Sequence, residues 1–153
     1  MTAPATLDRA GIAARIPHQG RMCLLDRLDH WSPTEVSCRA VGHRDGGHPL
    51  RTASGLLVPC AVEYAAQAMA LHGALVAPAG APPTPGYLAS VRELRAWVDL
   101  LDDIDGALQV HAERLAGDAS LVSYRFRVCR DDGRPLAEGR ATVVLNAAPE
   151  AGA

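Results

Sequence analysis

The chain has no lysine among its 153 residues; all 15 basic residues are arginine, set against 17 acidic ones for a formal charge of −2. With no cationic run to track a phosphate backbone, a nucleic-acid role is disfavoured. An all-arginine set in an Ala-rich chain fits coding background better than a functional demand. Nowhere do 18 apolar residues run together, which argues against a transmembrane helix. The first ten residues lack a basic region followed by an apolar stretch, so a cytoplasmic protein is expected. Cys23, Cys38, Cys60 and Cys129 include no C-x-x-C pair, which suggests neither a zinc site nor a thioredoxin-like motif; free thiols are expected. No histidine pair has the helical spacing of a metal site. A Gly-x-Ser-x-Gly elbow, a P-loop and a dinucleotide fingerprint are also missing.

What is present is a composition of 48% hydrophobic and 21% charged residues, close to that of a soluble globular domain. A chain of this length buries roughly 70% of its unfolded surface, enough for one core without metal or disulfide. We expect one domain over residues 1–153, with an ordered core of about 7–146 and frayed tails at 1–6 and 147–153.

Residues 7–16 read as a short amphipathic helix ended by Pro17, and residues 22–31 as a first strand. In residues 34–41, Val36, Cys38 and Ala40 alternate with Glu35, Ser37 and Arg39, the pattern of a half-buried strand paired through Ser32-Pro33. Residues 42–58 form a long polar loop, of a length that is often functional. Residues 59–76 are the one long helix signal. They are Ala-rich and apolar nearly all round, so we expect the helix to be buried, with Glu63 and Gln67 on one face. After a Pro-rich connector at 78–85 come strands at 86–98, 108–115, 121–129 and 134–145, joined by hairpin-type turns as a meander. An antiparallel sheet of about six strands around one central helix, an α+β fold, buries such a helix most simply.

A carboxylate in the first turn of a buried helix must be paired, hydrogen-bonded or protonated. Glu63 either takes hydrogen bonds from free N–H groups at the helix start or faces a pocket with a histidine as acid and base. The preceding loop offers His48, aimed by Gly47 and Pro49, and His43, in His43-Arg44-Asp45. His72 is read as packed or surface-facing, His18 as bonded to a loop, and His30 and His111 as incidental strand residues.

Ile16-Pro17-His18, Met22-Cys23-Leu24-Leu25-Asp26-Arg27, Gly47-His48-Pro49 and Glu63-Tyr64-Ala65-Ala66-Gln67-Ala68 resemble, in order, motifs of the beta-hydroxyacyl-(acyl carrier protein) dehydratases. The resemblance implies the hotdog fold and removal of water from a 3-hydroxyacyl thioester to give a trans-2-enoyl thioester, in fatty-acid or polyene/polyketide-type biosynthesis. It implies His48 as the base and Glu63 as the acid. N–H groups near Cys60 and Ala61 would polarise the thioester carbonyl, with Gln67 completing the substrate-binding set. The family's phenylalanine after the histidine and its second glycine are missing here. The chain is more similar still to a dehydratase-like subgroup of aryl polyene pathways, with His-Arg-Asp, then Asn-Pro-Leu-Arg. On that comparison His43 is the shared histidine and the alternative base. The implied partners are an acyl carrier protein, whose acidic surface Arg51, Arg92 and Arg95 would meet, and a second hotdog chain, identical or not. No metal or organic cofactor is implied beyond the phosphopantetheine arm of the carrier or coenzyme A. A non-catalytic, acyl-binding partner of an active dehydratase and a hotdog thioesterase are the alternatives.

Overall fold

The computed structural model describes residues 3–81 and 86–145; residues 82–85 of the Pro-rich connector and the tail at 147–153 lie outside the described residues. Seven antiparallel strands form one sheet: β1 (Leu7–Asp8), β2 (Arg27–Ser32), β3 (Glu35–Ala40), β4 (Gly86–Ala96), β5 (Leu108–Gly117), β6 (Leu121–Cys129) and β7 (Pro135–Leu145). Their spatial order is β1-β2-β3-β5-β6-β7-β4. A five-residue helix, α1 (Arg9–Ala13), follows β1, and the long helix α2 (Ala61–Val76) packs on β3, β5 and β6. This is the hotdog architecture that the resemblance implies.

The period-two pattern explains the sheet. Val36 and Cys38 on β3, Val110 and Ala112 on β5, and Phe126 and Val128 on β6 are all buried and face one another in register. Burial pushes the Cys38 thiol up to about 12, so this cysteine serves as a small apolar filler. Ala61, Ala65 and Ala68 on α2 are fully buried and, being small, let the helix backbone approach the sheet closely. The opposite flank is open: Val62, Glu63, Ala66 and Ala70 are half-buried and Gly73 and Ala74 exposed. The helix is therefore not enclosed all round, contrary to what its composition predicts.

Three other expectations change. Leu7 and Asp8 pair with Leu28 and Arg27 as a strand, and the helix begins only at Arg9. The Asp8 carboxylate prefers the N-cap, accepting from the Gly11 N–H at 2.9 Å. Nor are residues 3–6 all loose, since the Trp31 indole N–H donates to the Pro4 carbonyl at 2.8 Å. The first strand starts at Arg27 rather than residue 22 because the backbone groups of Met22 and Leu24 bond the Gln67 side chain instead of a neighbouring strand.

The meander holds only for β5, β6 and β7. Strand β4 pairs with β7 and forms the far edge, so residues 97–107 cross the molecule rather than close a hairpin. On the way they bind the polar loop, through Leu101 N–H to Leu56 O at 2.8 Å and Val58 N–H to Asp99 O at 2.9 Å. Gly55, at φ +108°, accommodates Asp102, whose carboxylate accepts from the Leu56 N–H at 3.0 Å. A side chain at 55 would both strain the backbone and strike that carboxylate.

His72 is a packed core residue. Its Nε2–H donates to the Ser32 carbonyl and its Nδ1 accepts from the Tyr124 hydroxyl, both at 2.8 Å. Burial lowers its pKa, opposed by the Ser32 bond and reinforced by Arg114. A folded-state pKa below the unfolded value of about 6.5 means this stability is complete above about pH 6.5 and is lost as pH falls below it. Burial lowers His48 and His111 in the same direction. Melting temperatures taken from about pH 7.5 to about pH 5 are expected to fall for the wild type. H72Q should start lower and fall less steeply; parallel curves would contradict this account.

Candidate active site

Glu63 sits in the first turn of α2, on its open flank. Its side chain is 33% exposed, so the expected deep burial is corrected: the charge is partly solvated. One carboxylate oxygen, Oε1, accepts from Gln67 Nε2 at 3.1 Å and lies 3.1 Å from His18 Nε2 in an ion-pair contact. No described residue donates a hydrogen bond to Oε2. Gln67 is fully buried, and its amide also accepts from the Leu24 N–H at 2.9 Å and donates to the Met22 carbonyl at 2.7 Å. In place of the expected substrate contact, the Gln67 amide is a strut between α2 and the 22–24 segment, fully engaged within the chain.

His18 reaches Glu63 because the turn before it is locked. Pro17 restricts the backbone, and the Gln19 amide donates to the Ala13 and Ile16 carbonyls at 2.6 and 3.1 Å. His18 Nδ1 is buried without a partner, and Nε2 is the ring nitrogen that faces the carboxylate. The sequence reading missed this contact. The available signal was Ile16-Pro17-His18 itself, a proline-aimed histidine ahead of the strand that α2 touches.

The helix start does not offer the donors expected of it. A 3-10 turn at Val58–Cys60 precedes α2; the Cys60 N–H donates to Leu57 O at 2.9 Å and the Ala61 N–H to carbonyls of that turn. Both N–H groups are occupied, and Ala61 is fully buried.

His48 lies at the floor of a cleft of about 340 Å³ walled by Arg21, Asp26, Asp45, Pro49 and Tyr64. Its Nδ1 accepts from the Leu50 N–H at 3.1 Å, so in the neutral ring Nε2 carries the proton and donates to the Tyr64 hydroxyl at 2.9 Å. Burial holds its pKa below the ordinary value, partly offset by Asp45, so the ring is neutral at pH 7 with no free lone pair. Tyr64, itself pushed up by burial, remains a neutral phenol. His43 differs. Its Nε2–H donates to the Ile104 carbonyl at 2.8 Å, which orients the ring and leaves a bare lone pair on a buried, unpartnered Nδ1. Neither histidine shares a hydrogen bond with Glu63 among the described residues, and Glu63 is not among the residues lining the His48 cleft. One chain thus holds an oriented carboxyl group and an oriented, unoccupied imidazole nitrogen at separate places.

A family model described as ApeP-like, ApeP dehydratase, matches residues 10–151. The chain belongs to the ApeP-like dehydratase family. No curated protein matches this ApeP-like chain. Among solved structures it is similar to a chain of the dehydratase heterocomplex ApeI:P from Xenorhabdus doucetiae, at 23% identity over 88% of this chain and 90% of that one, with a TM-score of 0.73. It is also similar to a thioesterase from Haemophilus influenzae (10% identity, 95% and 94% covered, TM-score 0.66) and to a thioesterase family protein from Silicibacter pomeroyi (16%, 90% and 97%, 0.61). At these identities the likenesses carry the hotdog fold, which serves both chemistries.

Replacing Gln67 by leucine strands the Leu24 N–H and the Met22 carbonyl, at about 1–3 kcal/mol for each buried group. Urea unfolding should show Q67L destabilised by about 3 kcal/mol. E63Q, at a partly exposed site, is expected to stay within about 0.5 kcal/mol of wild type. Equal losses in the two variants would refute the strut.

Proposed function

We propose that this chain is a subunit of a 3-hydroxyacyl-thioester dehydratase that takes its substrate from an acyl carrier protein and works against a second hotdog chain. The observation that carries the reading is Glu63, held by one oxygen with the other free, in a chain of a dehydratase family. In the dehydration, an imidazole removes the proton next to the thioester carbonyl. The C–O bond at the 3-position then breaks, and the departing hydroxyl takes a proton from the Glu63 carboxyl group and leaves as water. Of the two candidates we take His43 as the base because its Nδ1 is unpartnered, though buried within this chain, whereas His48 lines the cleft with both ring nitrogens engaged.

A second chain is supported by the open flank of α2 and by edge strand β4 with the residue after it, where Tyr87 and Trp97 are each 51% exposed. The heterocomplex named for the Xenorhabdus relative favours a non-identical partner. That relative also keeps alive a second reading, in which this chain stabilises an active dehydratase without supplying the base. For the carrier, Arg51 is withdrawn into an ion pair with Asp102 at 3.1 Å. Arg92 instead stands in register with Arg140 and then Arg125 across the sheet, a lateral row of like charge suited to an acidic partner.

The test is loss of enoyl absorbance when the protein, alone and with its hotdog partner, meets a crotonyl thioester of coenzyme A or of carrier protein. Activity of the complex should fall by about a hundredfold or more in E63Q and in H43A and by far less in H48A. Full activity of E63Q and H43A in the complex would move the chain to the non-catalytic reading; release of free thiol without enoyl turnover would make it a thioesterase. Reversing Arg92 and Arg125 to glutamate should weaken turnover of the carrier-bound thioester and spare that of the coenzyme A thioester. Equal effects on both would remove the arginine row from carrier binding.

A further inference from the structure

We infer that His18 is a positioning residue for Glu63, selecting which carboxylate oxygen meets the substrate; the inference rests on the reading of Glu63 as the acid. A carboxylate on a helix surface ordinarily rotates about its terminal torsion, which is broad and two-fold, so its two oxygens exchange. Here two side chains converge on the same atom: Gln67 Nε2, one turn along α2, donates to Oε1 at 3.1 Å, and His18 Nε2, from the loop after α1, lies 3.1 Å from it in an ion-pair contact. They approach from separate elements, so flipping the carboxylate would break both contacts together. Only Oε2 is left to carry and deliver a proton.

His18 is itself built for one orientation. Pro17 precedes it, Gln19 ties its turn to two carbonyls of the α1 region, and the unpartnered Nδ1 is buried. Turning the ring over would carry Nε2 into that buried position, with no partner. The ring nitrogen facing Glu63 is therefore fixed as Nε2. Gln67 alone does not achieve this, because its amide is committed to Met22 and Leu24 and holds Oε1 from one side only. The ring touches no reacting atom in this scheme; it acts through Glu63.

The experiment is steady-state hydration of crotonyl-coenzyme A by the complex with its hotdog partner, for H18L and H18Q in wild-type and E63Q backgrounds. H18L should lower kcat by about tenfold or more with KM within about twofold, the loss being one of orientation. H18Q, which keeps an amide donor, should recover most of kcat. In the E63Q background H18L should add no further loss. An unchanged kcat in H18L, or a loss just as large in E63Q, would overturn the inference. If the wild-type complex shows no hydration, the dehydratase reading fails separately, and imidazole 15N spectra decide about His18. The His18 Nε2 signal should move in E63Q; a signal that stays put would overturn the inference.

Discussion

The Gln67 amide organises both the fold and the candidate site. Fully buried on α2, it bonds the backbone on both sides of Cys23 and still reaches the Glu63 carboxylate. A segment that would otherwise continue as a strand is diverted onto the helix, since its amide and carbonyl are satisfied by a side chain. That diversion sets where the 18–24 loop lies, and with it where His18 points. One residue thus couples the central helix to the loop carrying His18, the second contact of Glu63. A buried amide suits this role because it offers an acceptor and two donors with no charge to desolvate.

The two candidate bases are sorted by a different constraint, the crossing of residues 97–107 over the polar loop. Asp102 accepts from the Leu56 N–H and pairs with Arg51, and Ile104 supplies the carbonyl that orients His43. The backbone bond lowers the Asp102 pKa, keeping the carboxylate ionised and the loop anchored at neutral pH. The loop holds its shape both through its own turns and through this partner segment, far away in sequence. His48 falls where Leu50 and Tyr64 use both of its nitrogens, and His43 where one nitrogen is anchored and the other bare. Sequence spacing puts the two histidines on a par; hydrogen bonds to residues such as Tyr64 and Ile104 separate them.

What the sequence determined by itself is most of the elements and the position of a candidate acid. Period-two alternation in β3 marked its buried face, because side-chain direction along a strand is local geometry. The Ala-rich run bounded by Pro59 and Pro78 marked α2 almost to its ends, because prolines limit a helix whatever surrounds it. Glu63 stood out as a charge in an apolar helix, and the ordered motifs pointed to the dehydratase family. Tertiary structure alone decided the rest. Strand β4 lies beside β7 rather than β5, since strand order depends on the path of a crossing segment. Glu63 is half-open because the sheet covers only one side of α2. His18 meets Glu63 across 45 residues of chain through a turn, a strut and a helix that must all be in place. Contacts of that kind are made when distant segments pack together, and no local pattern of residues records them.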